Sequence, residues 1–293
     1  MKSCKLVEAA VHATVLKFFC IVLGCTIAMP VGDALAQPAS AEATSVAAQS
    51  GNEELAKELS NPLASLVSIP FQFNYDRGLG PHDGGKKAAV NIQPVVPFNL
   101  NADWNLISRT IFPVAYQDDV LPRSGSQFGL GDITASLFIS PSQPTSDGIT
   151  WGVGPVLVLP SATDPLLGGE KWGAGPTGVA LVQQGPWTLG ALANHIWSFA
   201  GDDGRANVNR TFVQPFLSYT TPSAWTFSLQ SESAYDWTTS EWSVPINAAI
   251  SKIVKVGQLP ISLQGGVGYW ATAPDAGPEG FRARLALTVL LPR

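Results

Sequence analysis

Residues 66–76, reading LVSIPFQFNYD, put Val67, Ile69, Phe71, Phe73 and Tyr75 on one face of an extended chain and Ser68, Pro70, Gln72, Asn74 and Asp76 on the other. A period of two held over that length specifies a strand with one apolar face, and the pattern returns along the chain. Val90 to Leu100 sets Val90, Ile92, Val96, Phe98 and Leu100 against Asn91, Gln93 and Asn99. Leu106 to Tyr116 and Leu130 to Ser140 follow, the second with Ile133, Ala135, Leu137 and Ile139 opposite Asp132, Thr134 and Ser136. Three Gly-rich apolar runs fill Trp151 to Ala200, where glycine blurs the alternation and leaves the faces unassigned. Further strands are expected at Thr211 to Tyr219, Trp225 to Trp237, Trp242 to Val254, Leu259 to Trp270 and Phe281 to Leu291.

That makes about twelve strands, an even number, as single-chain bacterial barrels require. In an even barrel both chain ends lie on the periplasmic side, which makes the connections 76–87, 117–128, 160–171, 201–209, 236–241 and 271–279 extracellular. The periplasmic ones, at 101–103, 141–148, 184–186, 220–224 and 255–258, are shorter on the whole. Charged residues are 13% of the chain, against about 25% in soluble domains, and no run after Met29 is long and apolar enough for a membrane helix. Trp104, Trp151, Trp187 and Trp225 fall beside short connections and Trp172, Trp237, Trp242 and Trp270 beside long ones, as two interfacial belts would. The expected fold is all-β: an antiparallel up-and-down transmembrane β-barrel in the bacterial outer membrane, with a short N-terminal helix. A soluble periplasmic β protein is the alternative, since a sandwich strand shows the same alternation.

Residues 1–36 are expected to be a signal peptide: Lys2, Lys5 and Lys17 precede an apolar run from Phe18 to Met29, and Ala34-Leu35-Ala36 is a small-x-small cleavage site. An uncleaved anchor and acylation at Cys25 are the alternatives; the run is short for a bilayer and Leu23 suits acylation poorly. Cys4, Cys20 and Cys25 all lie in this leader, so the mature chain is expected to hold no disulfide or thiolate site. Losing the leader's three lysines with Glu8 and Asp33 moves the formal charge from −5 to −6, which argues against a nucleic-acid partner. Residues 37–60 read as a flexible periplasmic linker running into a helix over Glu53 to Leu66, and 61–293 as the barrel.

Pro70, Pro94, Pro97, Pro113, Pro155, Pro176, Pro215 and Pro245 fall inside expected strands, where each deletes a ladder hydrogen bond; bulges would accommodate them. If the loop near Pro165 closes a regular hairpin, Gly154-Pro155 and Gly175-Pro176 face each other as a paired kink.

No nucleophile-base pairing, metal-ligand spacing or cofactor motif stands out. His195 has Ser198 nearby, but without the close spacing of barrel phospholipases it reads as structural or pore-lining rather than catalytic. The lumen is the place for function. Arg109, Arg282 and Arg284 share the polar phase of their strands with Asp132, Glu232 and Asp236, and a charge on the lipid face would cost about 2–4 kcal/mol at the midplane. With His195, these form the candidate lumen-lining or solute-binding set, either as a wall network or as an eyelet that orients solutes.

Asn61-Pro62-Leu63-Ala64 before Val67-Ser68-Ile69-Pro70-Phe71-Gln72, then Gly154-Pro155, Leu159-Pro160-Ser161-Ala162-Thr163, Trp172-Gly173-Ala174-Gly175-Pro176 and Asn194-His195-Ile196-Trp197-Ser198, resemble the outer-membrane transporter family associated with the meta-pathway of phenol degradation. The terminal Leu290-Leu291-Pro292-Arg293 is similar to that family's ending, which more often has an aromatic residue before the proline. The resemblance spans residues 61–293 and implies a barrel passing small hydrophobic or aromatic molecules. The partners it implies are a small-molecule solute, outer-membrane lipid and the barrel assembly machinery. An outer-membrane lipid hydrolase is the alternative function.

Overall fold

The structure, a computed structural model, describes residues 51–121 and 124–291. The expected signal peptide and most of the linker lie outside the described residues. One helix, α1, covers residues 51–59. It carries the i,i+4 ion pair Glu53–Lys57 at 2.7 Å, both side chains half-buried. It ends where Ser60 donates back to the Ala56 carbonyl at 3.1 Å and the Asn61 side chain takes the Leu63 N–H at 2.9 Å, ahead of a helix-breaking proline's influence at Pro62.

Twelve antiparallel strands follow. They are β1 (Val67–Leu79), β2 (Gly85–Ile92 and Val95–Asn99), β3 (Trp104–Asp118), β4 (Ser126–Leu130 and Ile133–Pro141), β5 (Ile149–Leu159) and β6 (Lys171–Gln184). Then come β7 (Trp187–Gly201), β8 (Asn209–Thr220), β9 (Trp225–Ser231 and Ser233–Asp236), β10 (Glu241–Val256), β11 (Leu259–Thr272) and β12 (Gly280–Leu291). Each strand pairs with its neighbour in sequence, and β1 pairs with β12 from Val67↔Leu291 to Tyr75↔Ala283, so the sheet closes and has no edge. On the long-loop side the strands outrun the sequence pattern: β1 and β2 leave only 80–84 between them, and β3 and β4 only 119–125.

Prolines set the interruptions. In β2 the break falls at Gln93-Pro94, where Gln93 N–H turns to the Pro70 carbonyl of β1. In β4 it falls at Gly131-Asp132, beside Pro113 of β3, whose carbonyl takes the Gly131 N–H. In β9 it falls at Glu232: continuing the registers on either side places Pro215 of β8 opposite Ser231 and Pro245 of β10 opposite Glu232. Neither proline can donate to the ladder.

The expected hairpin between β5 and β6 is regular, and Pro155 pairs with Pro176. Each proline opens the ladder on its far side. Pairs are missing between Ser136↔Val156 and Ile139↔Val153 on β4 and β5, and between Ala174↔Trp197 and Thr177↔Asn194 on β6 and β7. The glycines before the prolines permit this approach, since a Cβ on Gly154 would run into the Leu137 carbonyl and one on Gly175 into the His195 carbonyl.

The outer face is apolar and bounded by aromatics, which meets the expected transmembrane barrel. At the short-turn end Trp104 packs edge-on to Trp151 and Trp187 to Tyr219. At the other end Tyr235 meets Trp237 edge-on and Trp242 at a tilt. Trp270 corrects the belt: it alternates with the exposed Tyr269 and faces the lumen, where its Nε1–H donates to Asp76 at 2.8 Å.

The interior has two halves. Strands β3 to β8 supply an apolar core of Ile107, Phe138, Val179, Leu181 and Leu192, joined by Leu63 from the segment after α1. The other half, β9 to β12 with β1 and β2, is polar. At the periplasmic end α1 lies across the barrel. Its Ala56 packs with Ala224, Ile253 and Leu290 on one side, and its Lys57 carbonyl takes Gln183 of β6 on the other, at 2.9 Å. Strands β6 and β12 stand opposite each other in a ring of twelve, so the helix spans the opening.

Candidate functional site

The site begins at the break in β9. With ladder bonding lost beside Pro215 and Pro245, Glu232 projects inward, and the Ser231 hydroxyl takes up the gap by donating to the Pro245 carbonyl at 2.8 Å. The Glu232 carboxylate receives both terminal nitrogens of Arg284, Nη1 at 2.9 Å and Nη2 at 2.6 Å, a forked pair across the lumen. Gln230 adds a bond at 3.3 Å and is itself held by Gln214 of β8 at 3.2 Å. Arg284 is 1% exposed, and its Nε–H donates to Asn74 of β1 at 2.8 Å.

Two residues along β12, on the same face, Arg282 pairs with Asp76 through Nη2 at 3.3 Å. Its Nε stands 3.1 Å from the same carboxylate but is not aligned to donate to it. Nη1 lies 3.7 Å from Glu232, and the Trp270 ring covers the guanidinium with its centroid 5.1 Å away. Arg109 of β3 completes the group, donating through Nη2 to Gln93 at 2.9 Å. The result is a bar of charge across the lumen, Arg109, Arg282 and Arg284 against Asp76 and Glu232, with Lys87 of β2 opposite Asp76 in the ladder: four positive and two negative.

Below the bar, between it and α1, lies a chamber of about 410 Å³. Gln72, Asn91, Gln264 and Ser228 line one side of it, and Ile111, Leu192, Phe212 and Phe216, with Gln214 between the two phenylalanines, the other. Arg109 and Glu232 form its upper end and Glu58 of α1 borders its lower end.

Four of the seven candidate residues, Arg109, Glu232, Arg282 and Arg284, are brought together. The other three are not. Asp132 faces inward but serves loop 160–170, accepting Ala162 N–H at 3.2 Å and Gly169 N–H at 2.6 Å. That loop is tied in turn to the next one by Arg205, which donates to the Pro165 and Gly168 carbonyls and pairs with Glu170 at 3.4 Å. Asp236 caps its own turn, accepting Thr238 N–H at 2.8 Å, and stands opposite Arg210.

His195 corrects the expectation that it lines the lumen. It pairs with Thr211 and stacks on Trp197 at 4.0 Å, on the outward face of β7. Its ring nitrogens meet the Thr211 hydroxyl at 2.7 Å and the Asn209 side-chain oxygen at 3.0 Å. Ser198 is on the inward face, where its hydroxyl accepts the Val208 N–H at 2.9 Å, so histidine and serine are on opposite sides of the wall. Sequence reasoning left out Asp76, Asn74, Gln93 and Trp270, though the polar phase of β1 already placed Asn74 and Asp76 inward.

Closure, the apolar outer face and the aromatic girdles define a bacterial outer-membrane β-barrel protein. Among solved structures the chain is similar to the "COG4313 outer membrane channel from Pseudomonas putida F1", with a TM-score of 0.61, 13% identity, and 78% of this chain and 96% of that chain covered. It also aligns with a KdgM porin solved with disordered oligogalacturonate (TM-score 0.42, 13% identity, covering 78% and 99%). The outer membrane phospholipase A from Escherichia coli aligns comparably (0.45, 11%, 78% and 98%). At these identities the likeness is one of fold, and the last two scores are too low to carry more. No family model and no curated protein matches the chain.

Proposed function

We propose that this protein is a channel or transporter for small hydrophobic or aromatic molecules, which occupy the chamber on their way through the barrel, in the manner of the phenol meta-pathway transporter family it resembles. The observation that carries the reading is the chamber itself: about 410 Å³, within the range of small-molecule sites, with Ile111, Leu192, Phe212 and Phe216 forming one wall. A barrel of twelve strands has little free bore once side chains fill it, so a solute needs such a defined station rather than a wide pore. The sequestered, hydroxyl-bonded His195 on the outer wall supplies no hydrolytic base next to Ser198, which favours passage over lipid hydrolysis. In this reading Arg109, Glu232, Arg282 and Arg284 line the solute path, while Asp132 and Asp236 hold its extracellular rim.

Planar-bilayer recording of the purified full-length protein tests this. Discrete conductance steps, reduced by millimolar cresol in the bath, are expected. Silence from protein whose heat-modifiable gel band shows a folded barrel overturns the channel. Steps that cresol leaves unchanged keep the channel and overturn the aromatic solute.

A further inference from the structure

We infer that the chamber is built for small amphipathic carboxylates, with the apolar body of the solute against Phe212 and Phe216 and its carboxylate on Arg109. This rests on the channel reading above and narrows its solute class.

The charge bar is unbalanced in a particular way. Arg284 is neutralised by its forked pair with Glu232, at 2.9 and 2.6 Å, and Arg282 by Asp76, at 3.1 Å. Those pairs use both carboxylates. Arg109, the third guanidinium, has as its hydrogen-bond partner among the described residues the neutral amide oxygen of Gln93, through one nitrogen only. A guanidinium has five N–H donors in a planar fork that matches a carboxylate, so Arg109 retains the means to bind one. Glu232 acts on Arg109 through space, but both of its oxygens are committed to Arg284.

The place where those donors are free is the chamber, which Arg109 borders. An anion there would lessen the bar's excess of positive charge, four cations with Lys87 against two carboxylates, and give Arg109 the carboxylate it lacks. Acetate would satisfy the guanidinium but leave the apolar wall unfilled. A neutral aromatic would fill the wall but leave Arg109 unmatched. A carboxylate on a ring or short apolar body does both, and the volume suffices, since an apolar cavity of about 150 Å³ already accepts a benzene ring. The carboxylate of Glu58, at the opposite end of the chamber, sets polarity along it: an anion is drawn toward the bar and away from α1.

Calorimetric titration of the folded, detergent-solubilised full-length protein with benzoate, benzyl alcohol and acetate tests the inference. Benzoate is expected to bind at least about tenfold more tightly than either of the others, the margin that one charge-assisted pairing supplies. Arg109→Gln is expected to bring benzoate down to the benzyl alcohol level, and Arg109→Lys to keep part of the preference. Phe212→Ser is expected to weaken benzoate without affecting acetate. Equal affinity for benzoate and benzyl alcohol, or benzoate binding that Arg109→Gln leaves intact in a heat-modifiable barrel, overturns the inference. Those outcomes leave the channel standing if the bilayer currents are present; binding without currents would retain the carboxylate site and remove the channel.

Discussion

The two halves of the interior solve the same problem with opposite chemistry. Strands β3 to β8 fill their side with Ile107, Phe138, Val179, Leu181 and Leu192, residues that need only shape to fit. The opposite side is filled by guanidinium groups, carboxylates and amides that need partners. An apolar filling is tolerant of its neighbours and stabilises by burial alone. A charged filling stabilises only while each member keeps its partner, and otherwise costs more than an empty site. The apolar half is therefore where the barrel resembles a folded core, and the polar half is where it commits stability to a defined electrostatic field. The chamber lies on the seam between them, which is why it has one wall of each kind.

Removing Glu232 breaks the polar half most severely. Glu232→Ala would leave Arg109, Arg282 and Arg284 with Asp76 as their one carboxylate, which Lys87 also faces, and a loss of about 3–5 kcal/mol is expected. Urea unfolding in detergent would show it. The same variant should move the reversal potential under a salt gradient toward anion preference. Replacing both partners, as Glu232→Leu with Arg284→Leu, should recover most of the stability, because no charge is left unpaired. If the single and double variants are equally unstable, the pair is not what holds this half together.

In the apolar half the counterpart is Phe138, 2% exposed and at the centre of its cluster. Phe138→Ala should cost up to about 3–5 kcal/mol by the cavity it leaves, with no change in ion preference. A shift in selectivity from Phe138→Ala would mean that the halves are coupled and that the division between them is false.

Much of this was legible in the sequence. Alternation placed Arg109, Glu232, Arg282 and Arg284 on inward phases, because apolar neighbours at every second position left those residues nowhere else to go. It could not choose their partners: Asp76 meets Arg282 across 206 residues and Arg284 meets Glu232 across 52. Strand spacing alone gives no registers at that range. His195 was illegible for a different reason. It follows Asn194, and two adjacent polar residues in a Gly-rich strand give no clue to which one faces lipid; Asn194 took the inside. Trp270 was within reach, since Tyr269 already occupied the outward phase. The prolines were visible one by one, but only the pairing shows that Pro215 and Pro245 flank Glu232 and free it for the lumen.

The Gly-Pro steps of the apolar half give a smaller and sharper test. Gly175→Ala puts a methyl group into the His195 carbonyl, a contact with backbone that cannot swing away, and about 1–3 kcal/mol should be lost. Gly178, one residue past Thr177 on the same strand, is the internal control. Its added Cβ would meet Val153 at 3.6 Å and the Gly152 carbonyl at 3.7 Å, ordinary contact distances, and alanine there should be neutral or stabilise by up to about 1 kcal/mol. Equal effects at the two positions would show that the close approach at Gly175 is not what the glycine is for.

The smallest effect belongs to Trp270, which joins the polar half through one hydrogen bond and one ring face. Trp270→Phe keeps an aromatic face for Arg282 but removes the Nε1–H that reaches Asp76 at 2.8 Å. Asp76 keeps its ion pair with Arg282, so its charge stays compensated and only a neutral donor is lost, worth about 0.5–1.5 kcal/mol. Trp172→Phe, on the lipid-facing side of β6, should cost less, because among the described residues the Trp172 ring nitrogen has no protein acceptor. Paired unfolding curves for the two variants decide whether the lumen or the membrane interface holds its tryptophan more tightly. A larger loss for Trp172→Phe would place the tighter hold on the outer wall. It would also mean that Asp76 is fixed by Arg282 alone, so that the polar half depends on its ion pairs with no help from the aromatic that covers them.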